Sequence, residues 1–391
     1  MDNSVSYNNT LNDEDIFLIP YRKRDKWGYC DKNKNIIIPT IYDECYTFLD
    51  DLAVVGVLNE KKEMHYGYIN RNGQLITELI YDYTAQFSEG LAGVEIKGKS
   101  GYIDKKGRLA IPMEYESWFA FDCKPSNFHD GLARVKKKGK VGFIDKENNI
   151  VVPLIYRGAS IFREGLAAVR WMDESKFPYR AFDFIDKNWN TVIKNVYPYI
   201  DQGPYDFDRD LHIFHEGLVP IVNEKGLCGY INKHGKQVTP FIYHVVGDFS
   251  EGMAPAGLRW LGKLGFIDYE GSWVVPPKYD WVRKFSEGLA AVKIGKKWGY
   301  INKEGDEVIP PVYDEAFEFS EELAPVEVDG KFGFINKEGK VVIPPLYHSV
   351  TLFHNGVSRV EYGEELPKPI NIFNNFKWGF IDRNNTQYWE D

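Results

Sequence analysis

The chain has 391 residues, of which 43% are hydrophobic and 15% aromatic, and its 57 acidic against 48 basic side chains give a net charge of −9. That apolar content excludes a disordered chain, Gly and Pro follow no collagen-like period, and no run of about 18 apolar residues is present to cross a membrane as a helix. The acidic balance argues against a nucleic-acid partner gripped by its phosphates.

In chain order, residues 1–15 read as a polar N-terminal tail, expected to be poorly ordered and lacking the basic and apolar regions of a secretory signal. From residue 16 to residue 391 one pattern repeats, so the array is taken as a single domain, irregular at 171–215. A short apolar strand a leads through a tight turn into strand b, first seen in Lys26-Trp27-Gly28-Tyr29. The glycine of strand b recurs as Gly67, Gly101, Gly142, Gly229, Gly265, Gly299, Gly333 and Gly379, and Asp183 takes its place once, which makes ten copies. An Asp-Lys-x-Gly turn follows, where an Asx side chain holds the chain and Gly accepts positive φ. Strand c comes next, ended by proline as in Ile309-Pro310-Pro311. A tyrosine then stands 14 residues after the motif residue in all nine complete copies.

Apolar residues fall at every third place between that tyrosine and the next phenylalanine, as in Tyr279, Val282 and Phe285. This spacing predicts a turn or a short 3₁₀ segment. A Phe-Ser-Glu-Gly-Leu-Ala block then opens the next strand a. Each unit reads as a three-stranded meander with two apolar faces, because Trp298 and Tyr300 point one way and Ile301 the other. Neighbouring units must cover both faces, with the motif glycine and alanines such as Ala92 and Ala290 letting the layers approach. The fold expected is all-β: about ten three-stranded meanders stacked as an open superhelical solenoid. A closed propeller-like ring is the alternative, since propellers usually carry about four to eight four-stranded blades.

These blocks resemble the WG-containing repeat family of bacteria, also called KWG repeats. Lys26-Trp27-Gly28-Tyr29, Lys297-Trp298-Gly299-Tyr300 and Lys377-Trp378-Gly379-Phe380 carry the name motif, and the Ile-Pro-Pro and Phe-Ser-Glu-Gly-Leu-Ala blocks recur with it. The resemblance implies a repeat scaffold that mediates interactions, and it brings no catalytic residues. Asp183 and the turn Asn188-Trp189 depart from the pattern.

No HExxH, P-loop, GxSxG or EF-hand signature occurs. His212 and His215, near Asp206, Asp208 and Asp210, have metal-ligand chemistry, yet His215 occupies a repeat slot that also takes Ser. The recurring turn aspartates read as turn caps. Cys30, Cys45, Cys123 and Cys228 are scattered and read as free thiols of a reducing compartment, hence a cytoplasmic protein. No catalytic residue, metal or cofactor is assigned, and no enzyme activity is expected. Recurring Lys and Glu positions should form basic and acidic stripes along the stack.

The aromatic and sulfur side chains outside the repeat slots are Trp118, Phe119, Phe121, Trp171, Met172, Phe177, Tyr179, Tyr205 and Phe207. They fall in length changes of two kinds, in the a–b hairpin or after strand c, whereas the b–c hairpin never changes length. Those two places share one end of the stack, and insertions on one face often mark a binding face. The expected function is a non-enzymatic scaffold that binds a protein partner at that end. Glycan or cell-wall binding through exposed aromatics is the alternative. Replacement of Trp171 and Tyr205 by Ala is expected to weaken capture and leave the thermal transition nearly unchanged.

Overall fold

A computed structural model describes residues 17–117, 126–172, 181–198, 213–363 and 377–391; the predicted tail lies outside them. The Ser-Glu-Gly-Leu letters spell a two-residue turn. Ser286 and Leu289 exchange backbone hydrogen bonds of 2.9 and 3.2 Å, and the residues between them, Glu287 and Gly288, have φ of +53° and +86°. Positive φ at both places is the twist that joins antiparallel strands tightly, and glycine adopts it at low cost. The b–c turns work differently, as the sequence predicts. Asp31 donates its N–H to the Asn35 carbonyl at 3.0 Å, and its carboxylate accepts the N–H groups of Asn33 and Asn35, both at 2.8 Å. The same backbone closure recurs down to Asp382 and Thr386.

Unit eight shows the sheet that these turns create: Trp281–Val282, strand a Ala290–Ile294, strand b Lys297–Ile301 and strand c Glu307–Tyr313, in that order and all antiparallel. The unit is four-stranded, not three-stranded. The extra strand is the stretch expected to be 3₁₀, and no helix occurs among the described residues. After Tyr279 the chain bends at Asp280, whose N–H bonds the Lys293 carbonyl at 2.9 Å, and then runs back along strand a. The spacing of three reflects that bend within an extended chain.

The motif glycine also has a different role from the one expected. A Cβ built on Gly299 would lie 2.4 Å from the Ile309 carbonyl oxygen and 2.7 Å from Pro310 backbone. Strand c bulges there, with pairing that jumps from Tyr300↔Ile309 to Trp298↔Tyr313. Glycine therefore admits the bulge of its own sheet rather than a neighbouring layer. The prolines sit inside the bulge, where no ladder N–H is needed.

Sheets stack face to face around hydrophobic cores, and the strands between Ala133 and Asn232 are also joined edge to edge as one eight-stranded run. Between units eight and nine, Trp298, Tyr300, Ile309 and Tyr313 pack on Ala324, Val326 and Ile335. An edge-on aromatic pair recurs at these interfaces: Tyr29–Phe48 at 4.8 Å, Tyr102–Phe128 at 5.0 Å, Phe266–Phe285 at 4.7 Å and Phe334–Phe353 at 4.8 Å are examples. Such pairs contribute about 0.5–1.5 kcal/mol beyond area burial, which accounts for the aromatic excess. Where strand b carries Tyr, its hydroxyl donates to a carbonyl of the next unit just after its short first strand, as from Tyr300 to Phe317 at 2.8 Å.

Phe380 of unit ten instead meets Trp27 of unit one, edge-on at 5.9 Å. The ends of the array touch. Trp389–Glu390 runs parallel to Ile19–Lys23, with Arg22 N–H bonding Tyr388 O at 3.2 Å and Arg24 N–H bonding Glu390 O at 2.7 Å. Tyr388, Phe380 and Val357 share one core with Ile19, Tyr21 and Trp27. An open superhelix holds its first and last units apart and does not describe this arrangement.

The charge stripes neutralise one another. At the Ser-Glu-Gly end, Glu251 accepts the Gly288 N–H at 3.1 Å and pairs with Lys303 at 3.1 Å, and Glu164 does the same with Gly217 and Lys233. At the other end Lys263 pairs with Asp280 and Lys297 with Asp314, both at 2.6 Å. Those lysines, with the N–H groups of Gly295 and Asp329, hold the two carboxyls below their ordinary 3.8. A depressed folded-state pKa stabilises above the unfolded value and is lost as pH falls through the folded one. Acid titration followed by circular dichroism should therefore begin to lose structure below about pH 4. A transition complete above that pH would assign acid stability to other groups.

Candidate interaction face

Strand topology sets which residues share an end. Asp43, at the exit of the first strand c, bonds Lys26 in the a–b hairpin of unit one at 2.7 Å and the Leu58 N–H in that of unit two at 2.9 Å. Exits of strand c and a–b hairpins therefore lie together, and the b–c turns lie opposite.

Of the residues singled out from sequence, Trp118, Phe119, Phe121, Phe177, Tyr179, Tyr205 and Phe207 lie outside the described residues. Met172 is exposed where strand a of unit five ends. Trp171 is half-buried, with its ring 4.8 Å from that of Tyr156 and its Nε1–H donating to Asp183 at 2.9 Å. The tryptophan is packed into the sheet, so the expectation of an unchanged thermal transition on its removal does not fit.

Asp183 itself explains how unit five does without the motif glycine. Its strand c has no proline run, the bulge is one residue shorter (Phe184↔Ile193, then Phe182↔Val196), and Asn195 turns to φ +53°. The space holds a carboxylate that is 4% exposed and accepts the Asn195 N–H at 2.9 Å as well as the indole. Asp183→Ala should orphan both donors and destabilise by about 1–3 kcal/mol for each, read by denaturant unfolding. A loss under about 1 kcal/mol would show that water replaces the carboxylate. The turn at Trp189 keeps the regular Asp186-to-Asn190 closure, at 3.0 Å, so stacking continues through the described part of 171–215.

Other exposed apolar groups on this end escaped the sequence reading. The a–b hairpin of unit seven carries Leu258, Trp260 and Leu261, all exposed, and Trp281 is 56% exposed at the start of unit eight. Their signal was small, a hairpin only slightly longer than its neighbours. The seam between units ten and one also opens here, as a cleft of about 250 Å³ lined by Arg22, Arg24, Trp27, Tyr46, Arg359 and Trp378, among others.

Among the described residues no group of His, Cys, Asp and Glu is arranged to hold a metal ion. His215 lies 3.5 Å from Asp248, while His212 and the three nearby aspartates fall outside the described residues. Burial pushes the thiols of Cys30 and Cys228 up to about 12, which makes them inert. Among the described residues no helix is long and apolar enough to cross a membrane.

No curated protein matches the chain in sequence. Among solved structures, a crystal structure of the eukaryotic initiation factor is similar, with a TM-score of 0.51 at 11% identity over 83% of this chain and 95% of that one. BamB from Moraxella catarrhalis gives 0.35 at 11% identity, over 82% and 93%, and the dihydro-heme d1 dehydrogenase NirN gives 0.38 at 13%, over 84% and 78%. At such identity only the first likeness speaks, and it speaks for a propeller-like fold alone. The family described as WG containing repeat matches at residues 27–61, 66–99, 101–140, 142–173, 229–257, 265–298, 298–332 and 332–364, more than half of the chain. The regular turns, the bulge-admitting glycines and these matches agree: the chain belongs to the WG containing repeat family.

Proposed function

We propose that the ten units form a closed, propeller-like ring that acts as a non-enzymatic scaffold, binding a protein partner through the end that carries the a–b hairpins. One observation carries this reading: length changes collect at that end, where Met172, Trp260, Leu261 and Trp281 are exposed, while every b–c turn keeps the same hydrogen-bonded form and length. Exposed aromatic residues are what protein interfaces favour as anchors. Cys30, Cys45 and Cys228 are buried and unpaired, which suits a reducing compartment, and cytoplasmic action is part of the proposal.

Affinity capture from native lysate followed by mass spectrometry tests it. Replacing 173–180 and 199–212 by Gly-Ser linkers, or Trp260 and Leu261 by Ser, should remove specific partners, whereas substitutions in b–c turns should not. An identical set of partners from all variants would sink the reading. Retention on cell-wall glycan instead would favour the sugar-binding alternative.

A further inference from the structure

The cleft at the seam holds two arginines that have no ion-pair partner among the described residues. Elsewhere on this end ion pairs such as Lys263–Asp280 and Lys297–Asp314 recur. In the cleft, Arg22 is spent: it is 5% exposed, donates to Trp378 O at 3.1 Å and pairs with Asp391 at 2.8 Å. Lys377 is spent on Asp391 as well, at 3.0 Å. Asp43 holds Lys26, and Glu44 accepts the hydroxyls of Tyr46 and Tyr66 at 3.1 and 3.2 Å. Two guanidinium groups remain. The guanidinium of Arg359 sits over the ring of Trp378, 4.4 Å from its centroid, and has no carboxylate or carbonyl partner among the described residues. Arg24 stands at the lip in a tight turn at φ +54°, with its side chain equally unpartnered. Asp25 is the one lining carboxylate without a partner among the described residues.

We propose that this cleft binds a carboxylate side chain of an acidic peptide, held by Arg24 and Arg359, with an adjacent apolar side chain against the partly exposed edge of Trp378. A guanidinium fixed by stacking on an aromatic face presents its planar fork with little entropy left to lose, which suits bidentate capture of a carboxylate. A volume of about 250 Å³ is below the size of ordinary small-molecule sites and fits one or two side chains. The inference deepens the scaffold reading, because the cleft opens on the same end as the insertions.

Isothermal titration of the full chain with acetyl-Glu-Phe-Glu-amide should show saturable binding, absent for acetyl-Gln-Phe-Gln-amide. Arg24→Gln and Arg359→Gln should each weaken it about tenfold, and Asp25→Asn should tighten it. Arg24 and Asp25 are exposed, so that opposite-signed pair remains informative even if the Arg359 variant folds poorly. No saturable binding, unchanged affinity in both arginine variants, equal binding of the neutral peptide, or equally potent displacement by inorganic phosphate would overturn the proposal. Lost peptide binding with insertion-dependent capture intact rejects the cleft alone; peptide binding with insertion-independent capture rejects the insertion reading alone.

Discussion

Tyr388→Ala is expected to destabilise the protein by about 3–5 kcal/mol, the cost of removing a large side chain from a packed core. Tyr388 is fully buried, its hydroxyl bonds Asp382 at 2.9 Å, its N–H bonds Phe380 O at 2.9 Å, and its carbonyl accepts the Arg22 N–H. The informative part is where the damage goes. In an array with separate ends the loss would stop at unit ten. Here the same core contains Ile19, Tyr21 and Trp27. Hydrogen exchange should therefore quicken together in Lys377–Asp382 and in Ile19–Lys23, at opposite ends of the sequence. Unaltered protection of Ile19–Lys23 would show that the seam carries little of the stability.

The second large effect separates two kinds of glycine. Gly299→Ala should cost about 3 kcal/mol, the upper end for forced overpacking, because the added methyl would meet the Ile309 carbonyl at 2.4 Å and backbone has nowhere to go. Gly288→Ala should cost only about 1–2 kcal/mol, since nothing lies within 4 Å and the penalty is positive φ alone. Unit nine already carries Glu322 at that place with φ +68°. Equal losses for the two variants in thermal melts would contradict the division of roles.

Much of this was legible in the sequence because a repeat prints each physical requirement several times. The Asp-Lys-x-Gly turn and the two-faced strand b follow from single residues whose chemistry admits few alternatives, whereas strand c, expected to end at its prolines, runs on through them to Tyr313 because the bulge removes the need for a ladder N–H there. The short first strand was not legible, because its two residues share an apolar spacing with a 3₁₀ turn and only the hydrogen bonds of strand a decide between them. Contact between the first and last units was not legible either. It depends on the small rotation between successive sheets, which no residue encodes, and it is made by Arg22 and Tyr388, neither of which stands in a family motif. The candidate face was half legible. Insertion positions gave the end, but Trp171 shows that a residue outside the repeat pattern can still be packed, and Trp260 shows that exposure can arise in a nearly regular hairpin.

The parallel direction of the terminal pair has a mechanical consequence. Ile19–Lys23 and Trp389–Glu390 run the same way, so a pull on the two chain ends draws the strands past each other and loads their hydrogen bonds together rather than one by one. The seam should hold until both bonds and the shared core yield at once. After that, each unit touches only its neighbours, and the rest should peel away one sheet at a time.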